Sequence, residues 1–130
     1  MNILEWQKEI IECIEEGVED EKISEVIVAN NRLFQPRGFP LCIVDTLKSD
    51  IAANINGISV TRNFIVLEVF KLVTRENEID NVRESALELF NEIIAEVVKL
   101  SRAMTFTNLE YIESALSGNK VTGVRVIIKI

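Results

Sequence analysis

The chain has 130 residues, of which 48% are apolar, 21 are acidic and 14 are basic, so its net charge is −7. A chain of this length folds as one domain and buries about two-thirds of the surface that it exposes when unfolded. The acidic balance argues against sequence-specific nucleic-acid binding, and no apolar run approaches the roughly 20 residues of a membrane span, so we expect neither kind of partner.

The first part of the chain predicts an amphipathic helix and then a short acidic stretch. Residues 2–16 carry apolar side chains at helical spacing, which makes one stripe. Residues 15–21 are densely acidic but lack the spacing of a calcium loop, which favours a solvated helix end over a cation site. Residues 23–29 fit a short helix and an edge strand equally well.

The middle of the chain predicts strands. Residues 41–47 and 51–55 are two apolar runs separated by a polar break, and Asn56-Gly57 is a strong signal for a tight turn. Residues 58–73 then alternate, and near their middle they are apolar on both faces. Such a strand is central in its sheet, with its second face covered by a helix or by a neighbouring subunit.

The last part of the chain predicts a long helix and a hairpin. Residues 79–102 have a wide apolar stripe, and residues 105–116 and 121–130 are extended runs joined by a Ser-Gly-Asn-Lys turn. The strands come in blocks, so we predict an α+β fold. Its antiparallel or mixed sheet of four to five strands packs against two main helices, with a C-terminal β-hairpin, in a single domain over residues 1–130.

The sequence carries little that could perform catalysis. It has no histidine, which removes the commonest general base and metal ligand, and it has no glycine-rich phosphate loop. Cys13 and Cys42 sit in apolar patterns and are interpreted as buried free thiols. We expect no cofactor, no metal and no enzymatic activity. If the chain were an enzyme, Cys42, Asp45 and Asp50 would be the first positions to mutate.

Residues 30–40 form the clearest loop, with both prolines of the chain and several large apolar side chains. Arginine beside aromatic residues is typical of interface anchors. An equally good interpretation is that the loop covers the core of its own chain and leaves its arginines in solvent. The candidates for subunit contact are Arg32, Leu33, Phe34 and Arg37.

The order of these elements resembles the tail-terminator proteins of long-tailed bacteriophages, of the minor tail protein U type. The resemblance extends over nearly the whole chain. It includes the N-terminal helix, a loop that ends in Phe39-Pro40, the extended Leu41-Cys42-Ile43-Val44, the strand at 63–73, the helix at 82–100 and a hairpin that closes with 124–130.

The resemblance implies a homo-oligomeric ring of six copies on the last ring of the tail tube. Such a ring stops tube polymerisation and presents a docking surface to the head–tail connector or neck protein, within a virion tail assembled in the bacterial cytoplasm. Its partners are then other copies of the chain, the tail tube protein and the neck protein. Ring closure needs no chemistry, because a head-to-tail interface that closes also ends growth.

Two other functions remain open from the sequence. The chain could be a head–tail joining protein of the neck, which is also a small ring-forming α+β protein. It could instead be a cytosolic α+β module that binds a small ligand or regulates another protein. The last alternative requires a concave apolar pocket with a few convergent polar groups.

Overall fold

Two long helices and five strands make up the described part of the molecule. The structure is a computed structural model that describes residues 3–29, 35–53, 58–100 and 104–129, with the backbone alone for 47–53 and 58–63. The elements are α1 (Ile3–Gly17), β1 (Glu25–Val28), β2 (Leu41–Ala53), β3 (Ile58–Leu72), α2 (Ile79–Val97), β4 (Thr105–Leu116) and β5 (Asn119–Lys129). Short 3-10 turns at Glu76–Glu78 and Val98–Leu100 flank α2.

The strands form one mixed sheet in the order β1-β2-β3-β5-β4. β1 pairs with β2 in parallel, and the other neighbours are antiparallel. β4 and β5 are joined by a tight turn in which Ser117 and Gly118 both have positive φ. The α+β class, the mixed sheet and the C-terminal hairpin are therefore confirmed, and residues 23–29 contain an edge strand rather than a helix.

Two elements differ in extent from the apolar runs of the sequence. The polar break at residues 48–50 does not interrupt β2, because the backbone pairing with β3 runs without a gap from Leu41↔Phe70 to Ala53↔Ile58. Backbone hydrogen bonds do not depend on side-chain polarity, so a ribbon can continue through polar residues. The long helix was predicted to about residue 102; α2 ends at Val97, a 3-10 turn continues it to Leu100, and residues 101–103 lie outside the described residues. The Asn56-Gly57 turn lies outside the described residues.

The main core lies between the helices and one face of the sheet. α1 lies over β2 and β3, while α2 lies over β3 and β5. The core residues of the helices are Trp6, Ile10, Ile14, Ala86, Leu89, Phe90, Ile93 and Val97. Alternate strand residues meet them: Cys42, Val44, Ile65, Leu67, Val69, Val124, Val126 and Ile128. Burial of each large aliphatic side chain contributes roughly 1.5–3 kcal/mol, so this layer dominates stability.

One buried polar side chain ties α1 to the sheet. Gln7 is 2% exposed, and its Nε2 donates a hydrogen bond to the carbonyl oxygen of Val44 at 2.8 Å. The same oxygen accepts the backbone N–H of Ala29 at 3.2 Å. The first helix, the end of β1 and β2 therefore converge on a single carbonyl group.

A smaller cluster lies on the second face of the sheet. Its buried members are Ile27, Ala29, Leu41, Ile43, Phe70 and Val121, with Phe39, Ile112 and Leu116 packed against them. Strand β3 is thus apolar on both faces, as predicted. Neither α1 nor α2 covers the second face. Within the described residues, the strands and Phe39 bury this cluster among themselves.

Candidate assembly surfaces

The two cysteines are free, as predicted, but they differ in burial. Burial, followed by the charge of Glu68, raises the pKa of the Cys42 thiol to about 12, so the nucleophilic thiolate is scarce at neutral pH. Cys13 is only half-buried, which makes the prediction for that residue wrong. It lies at the margin of the helix stripe, where burial and Glu16 raise the pKa of its thiol.

The carboxylates do not converge on a site. Among the described residues, no group of three or more metal-ligating side chains is placed to hold an ion. The five acidic residues between Glu15 and Glu21 are all exposed. Asp45 lies inside β2 rather than at a strand end, and its Oδ1 accepts the backbone N–H of Thr46 at 2.8 Å. The side chain of Asp50 is outside the described residues.

The loop predicted to contact other subunits is described only in its second half. Arg32, Leu33 and Phe34 lie outside the described residues, and their role stays a prediction. Arg37 is exposed, and its backbone N–H donates to Glu25 Oε2 at 2.7 Å. Phe39 packs against the second-face cluster. For Phe39, this confirms the interpretation that the loop covers the core of its own chain.

The end of this loop is held in place by Ser24. The Ser24 hydroxyl donates to the carbonyl oxygen of Phe39 at 2.7 Å. The Ser24 backbone N–H donates to the carbonyl oxygen of Pro40 at 2.8 Å. These two bonds orient Phe39 toward the sheet and leave Arg37 at the surface beside the outer strand β1.

A two-stranded arm extends beyond the sheet. β1 pairs with β2 only over Leu41–Val44, and β5 pairs with β3 only over Phe64–Leu72. Beyond these limits, residues 48–53 and 58–63 have only each other as strand partners within the described residues. We name these two segments the β2–β3 arm. A two-stranded ribbon with no further strand or helix against it gains little stability of its own in water.

A second surface lies on the outer strand β4, on the same side of the sheet as the helices. α1 and α2 lie mainly over β2, β3 and β5, so the outer strands β1 and β4 have the least helical cover on this side. In β4, Leu109 and Tyr111 are 61% and 52% exposed, and Arg83 and Leu87 of α2 lie beside them.

A bulge in β4 sets the direction of these side chains. The register shifts between Thr107 and Glu110, which adds one residue to β4 relative to β5. Phe106 and Tyr111 are five residues apart but consequently lie on the same face of the sheet. Their cross-strand partners in β5 are Ile128 and Val124. Asn108, in the bulge, has φ of 55°. We name Leu109, Tyr111 and the neighbouring Leu87 the β4 patch.

A third surface lies at the opposite edge of the sheet. Leu4 of α1 and Val28 of β1 are 56% and 48% exposed, and they flank a groove of about 500 Å³ that Ile11 also lines. We name Leu4, Ile11 and Val28 the α1 patch. Neither patch was predicted from the sequence, because the exposure of these side chains depends on how far the helices extend over the outer strands.

A broad groove of about 600 Å³ bears on the small-ligand alternative. Its apolar wall is formed by Phe39, Pro40, Leu72 and Val82. Lys71 also lines it, but the Lys71 Nζ donates to Ser85 Oγ at 2.6 Å, which orients the ammonium toward the helix. The groove is open along its length and does not enclose a ligand.

Comparison with models of known protein families gives no match, and comparison with curated proteins gives none either. No helix within the described residues is long and apolar enough to cross a membrane. A functional inference for this chain therefore depends on its own residues and on the surfaces above.

Proposed function

We propose that this chain is a structural protein of a phage tail that forms a ring, caps the tail tube and ends its polymerisation. The observation that carries the proposal is the β2–β3 arm. Its twelve paired positions have no other strand beside them in the described residues, whereas β1 flanks β2 over Leu41–Val44 and β5 flanks β3 over Phe64–Leu72. A ribbon of this kind gains stability when it packs on a second chain, which is the property required of an assembly protein.

Two further features support an assembly role. The N-terminal helix, the long strand, the second helix and the closing hairpin of the resemblance correspond to α1, β3, α2 and β4–β5, and β1 is an additional strand before the loop. The two exposed apolar patches are different surfaces at opposite edges of the sheet. A head-to-tail contact joins two different surfaces, and one that closes yields a ring with no free end. Such a ring would also present one flat side to the tube and the other to the neck protein.

The test is an elongation assay on tail tubes grown from purified tube protein. Added chain should bind one end of each tube and stop its growth, and electron microscopy should show tubes of fixed length with a terminal ring. Continued elongation at saturating chain overturns the proposal. Binding to purified head connectors without any effect on tubes favours a neck protein instead.

A matched variant tests the arm. Lys48 and Asn63 are paired across the ribbon, so residues 49–62 can be replaced by Asn-Gly, which favours a two-residue hairpin turn. The remaining sheet keeps all its pairings with β1 and β5 and should stay folded. We expect the capping activity of this variant to fall at least tenfold. Its circular dichroism spectrum should remain that of a folded α+β protein, and its thermal unfolding should remain cooperative. Full capping by the shortened chain would show that the arm is not the contact.

A further inference from the structure

We draw no further inference here: the strongest candidate, the exposed β4 patch at the outer edge of the sheet, carries none because nothing in the described residues shows what covers Leu109 and Tyr111.

Discussion

The backbone of Gly123 lies so close to that of Val69 that a Cβ built on the glycine would stand 1.8 Å from the Val69 carbonyl oxygen. Gly123 is in β5, opposite Phe70 of β3, at the centre of the sheet. A glycine inside a strand often marks a close approach of another backbone, and here the approach is between neighbouring strands.

Gly123→Ala should therefore destabilise the fold by about 3 kcal/mol, since the added methyl group must force the two central strands apart. Urea unfolding followed by circular dichroism measures the change. Gly118→Ala is the control, because a Cβ at Gly118 would meet nothing within 4 Å and only the positive φ of 78° is unfavourable. We expect about 1 kcal/mol for that control. Equal losses of unfolding free energy in Gly123→Ala and Gly118→Ala would contradict the close approach of the Gly123 and Val69 backbones.

Gln7 should matter more for its volume than for its hydrogen bond. Gln7→Leu removes the donor to the Val44 carbonyl, but that oxygen keeps the Ala29 N–H, so no acceptor is left unsatisfied. We expect a loss of about 1 kcal/mol or less in the free energy of unfolding. Gln7→Ala adds a cavity beneath α1 and should cost about 2 kcal/mol. If Gln7→Leu were the more harmful of the two in urea unfolding, the hydrogen bond would be the main contribution.

Much of the fold could be predicted because side-chain periodicity reports burial. The alternation of Ile65, Leu67 and Val69 and the helical spacing of Phe90 and Ile93 both match the core that the structure contains. Periodicity does not report pairing between backbones. The continuous β2 strand and the parallel position of β1 therefore could not be read from the residues.

The candidate surfaces were harder to predict than the core. The exposure of Tyr111 depends on how far α2 extends over the sheet. The face of the sheet on which the Tyr111 side chain lies depends on a one-residue bulge near Asn108. Neither has a periodic signal. The loop residues Arg32, Leu33 and Phe34 were predicted from composition alone, and their contact role stays a prediction.

An ion-pair ladder crosses the second face of the sheet at Arg125. Cross-strand register places Glu68 on one side of it and Glu110 on the other. Arg125 Nη2 lies 3.0 Å from Glu68 Oε2, and Arg125 Nη1 lies 3.3 Å from Glu110 Oε1. The side chain of Glu68 is only 14% exposed, whereas that of Glu110 is 53% exposed.

Arg125→Met should cost about 2 kcal/mol of unfolding free energy, because it leaves the largely buried Glu68 carboxylate without its charged donor. Glu110→Gln should cost less than about 0.5 kcal/mol, as exposed pairs contribute little. In a double-mutant cycle with Glu68→Leu, the coupling to Arg125 should be about 1–2 kcal/mol. Additive losses in chemical denaturation would show that the ladder is not energetically connected.

The Cys42 thiol should make stability fall at alkaline pH. Its pKa in the folded chain is about 12, raised from an ordinary value of 9.0 because burial disfavours the thiolate. Above pH 9 the unfolded chain therefore loses the proton while the folded chain keeps it, so the unfolded state binds fewer protons and stability decreases as pH rises toward 12. Between pH 9 and pH 10 this amounts to about 1 kcal/mol.

Cys42→Ala provides the comparison, because other groups that titrate in this range are common to both chains. The difference in unfolding free energy between the two chains should shrink or reverse from pH 8 to pH 10, measured by urea unfolding at each pH. Thiol titration at pH 8 should find that Cys13, which is half-buried, reacts before unfolding and Cys42 only after it. Parallel pH profiles, or a Cys42 that reacts in the native chain, would mean that this thiol is not shielded by the core beneath α1.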